Sequence, residues 1–121
     1  MTVRAEWIYF GLGERLTPSG EVILDKYYFK DTSIKILNTN KRRVWVYGNY
    51  SLTNTFNIKS ILSYEEYDCN EQSYKYLQTT SYSGFDLMGE HNKLPDIQET
   101  NYIRPDGLRN ELLRMLCNRK K

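Results

Sequence analysis

Tyr64-Glu65-Glu66-Tyr67-Asp68-Cys69 is the stretch from which the rest of the chain is read, because it ends in one of only two cysteines. It closes a strand expected over 58–68, with Ile58, Leu62, Tyr64 and Tyr67 as its apolar or amphipathic positions. On such a strand Glu66 and Asp68 share a face and Glu65 points to the other. The second cysteine, Cys117, falls on the last turn of an expected helix. A bond between the two would tie that helix to the strand and stabilise the fold by about 4 kcal/mol through loop closure. The alternative is two unrelated thiols, each buried as a small hydrophobe.

Working outward, Arg42 to Tyr50 reads as a strand centred on Val44, Trp45, Val46 and Tyr47. The polar turn Asn38-Thr39-Asn40-Lys41 joins it to a short strand over 33–37, the clearest hairpin in the chain. Before these, Trp7-Ile8-Tyr9-Phe10 is a short strand ended by Gly11-Leu12-Gly13, and 16–20 is a turn marked by Pro18 and Gly20. Residues 21–30 form another strand, with Asp25-Lys26 as a bulge or turn, and Asp31-Thr32-Ser33 breaks it. The polar stretch 51–57 is loop, Asn70-Glu71-Gln72 is a turn, and 73–83 is a strand with Tyr74, Tyr76 and Tyr82 on one parity. Residues 85–99, which hold Gly89, Pro95 and the single histidine, read as a long loop around at most one short strand.

Pro105-Asp106-Gly107 opens the one helix, with Asp106 as its expected N-cap. Leu108, Leu112, Met115 and Leu116 form an apolar stripe widened by Leu113 and Cys117, while Arg109, Glu111 and Arg114 are expected to face away. The helix stripe and one sheet face should make a core containing Trp7, Trp45, Leu112 and Leu116.

The length of 121 residues fits one domain able to bury a core. Eleven tyrosines against four phenylalanines suit half-buried strand surfaces. A net charge of +2, from 17 basic and 15 acidic residues spread along the chain, leaves no electrostatic footprint for nucleic acid. No apolar run is long enough to span a membrane, and Met1-Thr2-Val3-Arg4 does not begin an export signal. Two widely spaced cysteines suit an oxidising compartment better than a metal site.

Motifs for phosphate loops, nucleophile elbows, zinc helices and dinucleotide folds are missing, and a single histidine, His91, excludes any multi-histidine site. No catalytic residue, metal ligand or cofactor is nominated. The Glu65, Glu66 and Asp68 cluster reads as a solvated face rather than an acid–base pair. Lys41, Arg42 and Arg43 are the residues nominated for partner contact, through Arg forks able to clamp a phosphate or a sulfated glycan, the alternative being charges that an exposed turn carries for solubility. Asn49-Tyr50-Ser51 fits an N-glycosylation triplet at a strand end.

The order of these pieces resembles the bacterial surface-adhesin protein E family. The resemblance is carried by Trp7; Lys26-Tyr27-Tyr28-Phe29-Lys30-Asp31 with Ser33-Ile34; Arg43-Val44-Trp45-Val46-Tyr47 with Asn49-Tyr50; Glu66-Tyr67-Asp68-Cys69; Ile103-Arg104-Pro105; and the helix ending in Cys117. The chain departs from the pattern at Asn101-Tyr102, where a tryptophan is expected, and across 85–99.

The resemblance implies one α+β domain over 1–121: an antiparallel sheet of about six strands with the C-terminal helix packed on it, stapled by a Cys69–Cys117 disulfide. It implies export to the periplasm or outer surface of a Gram-negative bacterium, often through a lipid-anchored N-terminus that this sequence does not carry. The expected function is a non-catalytic envelope or cell-surface binding protein, an adhesin for host extracellular-matrix proteins or a partner of envelope components. An exposed edge strand could also pair two copies into a homodimer. The alternative is a periplasmic small-ligand-binding or enzyme-inhibitor domain, which calls for a concave apolar pocket between the sheet and 85–99.

Overall fold

Period-two alternation carries β4 (Lys41–Asn49) through the centre of the sheet. Arg42, Val44 and Val46 are buried on one face, while Arg43 and Trp45 are half-buried on the other. The computed structural model describes residues 7–16, 19–50, 58–95 and 99–119. Around β4 run β1 (Trp7–Leu16), β2 (Val22–Lys30), β3 (Lys35–Ile36), β5 (Ser60–Asp68), β6 (Ser73–Tyr82), β7 (His91–Lys93) and β8 (Asn101–Tyr102). All pairings are antiparallel, in the order β1-β2-β4-β5-β6-β7. The short β3 shares an edge of β4 with β2, and β8 shares an edge of β6 with β7. One helix, α1 (Leu108–Cys117), covers one face.

The expected hairpin at 38–41 is present. Asn38 Oδ1 accepts the backbone N–H groups of Asn40 (2.9 Å) and Lys41 (3.0 Å), the turn-closing role that suits asparagine. The loop expected at 51–57 and part of the turn at 16–20 lie outside the described residues.

Three expectations change. Gly11-Leu12-Gly13 does not end β1, which continues to Leu16. The glycines serve close approach instead: a Cβ at Gly11 would stand 2.5 Å from Leu108 of the helix, and one at Gly13 would stand 2.4 Å from the Tyr27 ring. The irregularity expected at Asp25-Lys26 lies across the ladder, as a bulge in β1 between Tyr9 and Gly11. Asp106 does not cap α1; Gly107 occupies that position, and the Asp106 carboxylate instead accepts from Arg104 Nε at 3.5 Å.

The core comprises Phe29, Val44, Val46, Tyr67, Leu112, Leu113 and Leu116, edged by Phe10, Tyr27, Ile34, Tyr74, Ile103 and Cys117. Leu112 and Leu116 stand in it as expected, but Trp7 and Trp45 do not. Val44 and Val46 face the helix, so parity turns Trp45 to the opposite face, where it stacks on Tyr64 at 4.7 Å. Trp7 meets Tyr47 edge-on at 4.8 Å on that same outer face.

Cys69 and Cys117 are disulfide-bonded across 48 residues. The bond fastens the end of β5 to the end of α1, and the Cys69 N–H donates to the Asn40 carbonyl at 2.7 Å.

Candidate binding surfaces

The residues nominated for contact sit on both faces of β4. Arg42 turns inward, only 4% exposed. Its Nε donates to the Leu116 carbonyl (3.1 Å) and its Nη2 to the Arg119 carbonyl (2.9 Å), while Nη1 holds the carbonyls of Asn38 and Thr39. It therefore caps the negative end of α1 and ties it to the 38–41 turn. That role removes Arg42 from the contact surface. Lys41 and Arg43 remain on the outer face, gathered with Lys75 around Glu66: Arg43 Nε donates to Glu66 Oε1 at 2.9 Å, and Lys41 lies 3.6 Å from both Glu66 and Asp68. Asp68 is held below its ordinary value, chiefly by the backbone N–H of Glu71 and then by that of Asn70 and the nearby Lys41.

Next to this charged end the outer face is paved with rings. Tyr28 stacks on Tyr47 at 4.7 Å, Tyr9 meets Tyr28 at 5.6 Å, and Trp45 lies on Tyr64. Such pairs add to the area term by the attraction of ring edge for ring face.

At the far end of the face the 83–90 loop is fastened by side chains that sequence reading did not assign. The Asn49 carboxamide binds Asp86 twice, accepting its N–H at 2.8 Å and donating to its carboxylate at 2.8 Å; Tyr47 Oη donates to the same carboxylate at 3.1 Å. Ser60 Oγ donates to the Gly84 carbonyl (2.6 Å) and accepts the Leu87 N–H (3.0 Å). These bonds hold Asp86 and Leu87 at φ 55° and 63°, a left-handed conformation that non-glycine residues adopt only when their surroundings over-determine it. The result is a fixed loop that presents Phe85 and Met88 to solvent, Met88 at 66% exposure, with Lys59 Nζ 5.5 Å from the Phe85 ring centre. Asn49, read as a glycosylation position, is thus committed to this loop. His91 is exposed beside Tyr82, with ring centres 5.8 Å apart.

The helix side carries the most concentrated chemistry. Glu65 is fully buried and takes three donors: Ser63 Oγ at 2.6 Å, Tyr67 Oη at 2.7 Å, and Arg109 Nη1. Arg109 also donates to Tyr67 Oη (2.7 Å) and Tyr76 Oη (3.2 Å), and its guanidinium lies 4.3 Å over the Tyr74 ring. Burial pushes the Tyr67 and Tyr76 hydroxyls above their ordinary range, against the pull of Arg109. Burial opposes the Arg109 charge, but Glu65 and the surrounding tyrosines hold it more firmly protonated than usual. Arg109 was expected to face away. Its spacing tells otherwise: Leu113 and Leu116 lie at i+4 and i+7 from it, so the buried stripe runs 109-112-113-116 and Met115 falls outside.

Beside this network is a cavity of about 340 Å³, lined chiefly by apolar atoms. Its wall includes Tyr27, Ile61, Tyr76, Leu94 and Arg109, so it lies between the sheet and the 85–99 region, as a ligand-binding reading called for. The Tyr27 ring crosses Gly48, where a Cβ would stand 2.5 Å from it.

Comparison with known proteins agrees with this geometry. In fold, the chain is similar to Haemophilus influenzae protein E in one crystal form at TM-score 0.64 and 19% identity, covering 96% of this chain and 90% of that one. It is similar to a further structure of Haemophilus influenzae protein E at 0.63 and 18%, covering 96% and 86%. Protein E from non-typeable Haemophilus influenzae gives 0.60 and 18%, covering 97% and 78%. No curated protein matches the chain in sequence. A model of the surface-adhesin protein E family matches residues 18–118, every strand from β2 to β8 together with the helix and both cysteines, and the chain belongs to that family.

Proposed function

We propose that the protein is a non-catalytic adhesin that binds a host extracellular-matrix protein at the bacterial surface. The observation that carries this reading is membership in the surface-adhesin protein E family over residues 18–118. Display at the outer surface follows from the role, and it is preferred to a periplasmic site because an adhesin must reach its partner. A lipid-anchored N-terminus and the pairing of two copies along the β1 edge both suit that role, the second by raising avidity.

The outer face supports the reading with side chains suited to recognition. Lys41 and Arg43 supply cations at one end, and Phe85 and Met88 stand on a fixed loop at the other, where little ordering entropy is lost on binding. Aromatic and arginine side chains concentrate binding energy at protein interfaces. The test is binding of purified protein to a panel of immobilised matrix proteins, with labelling of intact cells to report surface display. Saturable binding that weakens about tenfold or more in Phe85→Ala or in Lys41→Glu with Arg43→Glu is expected. Absence of binding to every matrix protein, or display that requires the outer membrane to be opened, would remove the host-adhesin reading.

A further inference from the structure

Arg109 has more donors than the protein uses. Of its five N–H groups, Nη1 serves Glu65 and Tyr67 and Nη2 serves Tyr76, which leaves Nε–H and one Nη2–H without an acceptor among the described residues. The guanidinium cannot rotate to find others, because Glu65 and the Tyr74 ring hold it in place. It lines the 340 Å³ cavity and also a second hollow, with Tyr27 and Tyr76 common to both walls. Thr79, on β6, lines the first cavity too, on the face of its register partner Ser63, whereas Gln78 stands opposite the outer-face Tyr64. No buried side-chain nitrogen or oxygen lacks a partner among the described residues, so the spare Arg109 donors are ones that open onto accessible space. Here, the Arg109 donors from α1 adjoin a largely apolar space whose volume lies within the range of small-molecule sites, about 300–1,000 Å³.

We propose that this cavity binds a small, uncharged, chiefly apolar molecule that presents a carbonyl oxygen to Arg109. The lining sets the apolar body, and the spare donors set the acceptor. The absence of charge follows from Glu65: it already neutralises Arg109, so an anionic ligand would bring an uncompensated charge into a site of low dielectric. The site lies on the helix side, opposite Lys41 and Arg43, and is independent of adhesion through the outer face.

The probe is 6-propionyl-2-(dimethylamino)naphthalene, an uncharged fluorescent ketone whose emission reports both burial and hydrogen bonding at its carbonyl. Titrated into the full chain, it should give saturable one-to-one enhancement and shift the Arg109 Nε–H resonance in the NMR spectrum. Ile61→Trp fills the space without touching the Glu65 network and should weaken binding by about tenfold or more. Thr79→Phe serves the same purpose should the first variant fail to fold. Tyr64→Ala, on the outer face, should leave affinity unchanged. A naphthalene carboxylate of equal ring size should bind about tenfold more weakly than the ketone. Non-saturable binding, an unmoved Arg109 resonance, affinity that survives both filling variants, or a carboxylate that binds as tightly would overturn the proposal. Matrix-protein binding measured on the filled variants should be retained, so failure of either role is read separately.

Discussion

The two faces of the sheet answer the same residue types in opposite ways. Arg42 and Arg43 are neighbours, yet one is buried under α1 holding carbonyls and the other pairs at the surface with Glu66. Glu65 and Glu66 divide likewise, the first among Ser63, Tyr67 and Arg109, the second among Lys41, Arg43 and Lys75. Strand parity sends adjacent residues to different solvents. On the helix side the charges are largely withdrawn from water and depend on fixed partners; on the outer side the cations stay hydrated and exchange partners at little cost. The difference teaches that identity of side chain sets little here until the face is known.

The largest test of that contrast is at the paired glutamates. Glu65→Ala leaves the Arg109 charge buried without its carboxylate and should destabilise by about 3–5 kcal/mol in denaturant unfolding. Glu66→Ala should cost about 1 kcal/mol or less, because its partners are more than a third exposed. Replacing Glu65 and Arg109 together by leucine should recover much of the first loss, since no charge is then stranded. Equal effects at Glu65 and Glu66 would break the comparison.

Next comes the disulfide. Opening a bond that spans 48 residues should lower stability by about 4 kcal/mol on the loop-closure estimate, seen as a fall in melting temperature on adding reductant. An unchanged melt would mean that the Arg42 cap alone suffices to hold the end of α1.

The adjacent arginines give a smaller, sharper contrast. Arg42→Met should cost about 2 kcal/mol by leaving the Leu116 and Arg119 carbonyls without their donor. Arg43→Met should stay below about 1 kcal/mol.

The pH dependence should be weakest and should differ by face. Tyr67 and Tyr76 are raised in the fold, so their contribution is complete below the ordinary tyrosine value of 10.0 and is lost as pH rises above it. Phenolate absorbance from these two should therefore appear only with unfolding. Asp68 is lowered, so its contribution is complete above 3.8 and is lost as pH falls through the lowered folded value. Asp68→Asn should flatten the acid limb of the stability curve and leave the alkaline limb unchanged.

Much of this architecture was legible in order. The 38–41 hairpin, the strands through Trp45 and Tyr64, and the C-terminal helix all announce themselves through alternation, turn residues and a 3.6-residue stripe. The opposed directions of Glu65 and Glu66 were legible too, because parity is local. What failed were choices that depend on a distant partner. Gly11 and Gly13 looked like a strand end because their use, room for Leu108 and the Tyr27 ring, comes from elsewhere in the chain. Trp7 and Trp45 looked like core because large rings usually bury, whereas here the helix covers the face of the smaller valines. Arg109 looked exposed because charge outweighed its phase on the helix.

The sequence by itself determined the succession of strands, the single helix and, through its resemblance, the family and the cysteine pairing. Those depend on spacing and on local preferences written into neighbouring residues. Only the tertiary structure decided which face α1 covers, and with it that Arg42 is a cap, that Glu65 has Arg109 for a partner, and that a cavity opens beside them. Each of these joins residues far apart in the chain. The desolvation that makes such pairings obligatory exists only once two elements have met.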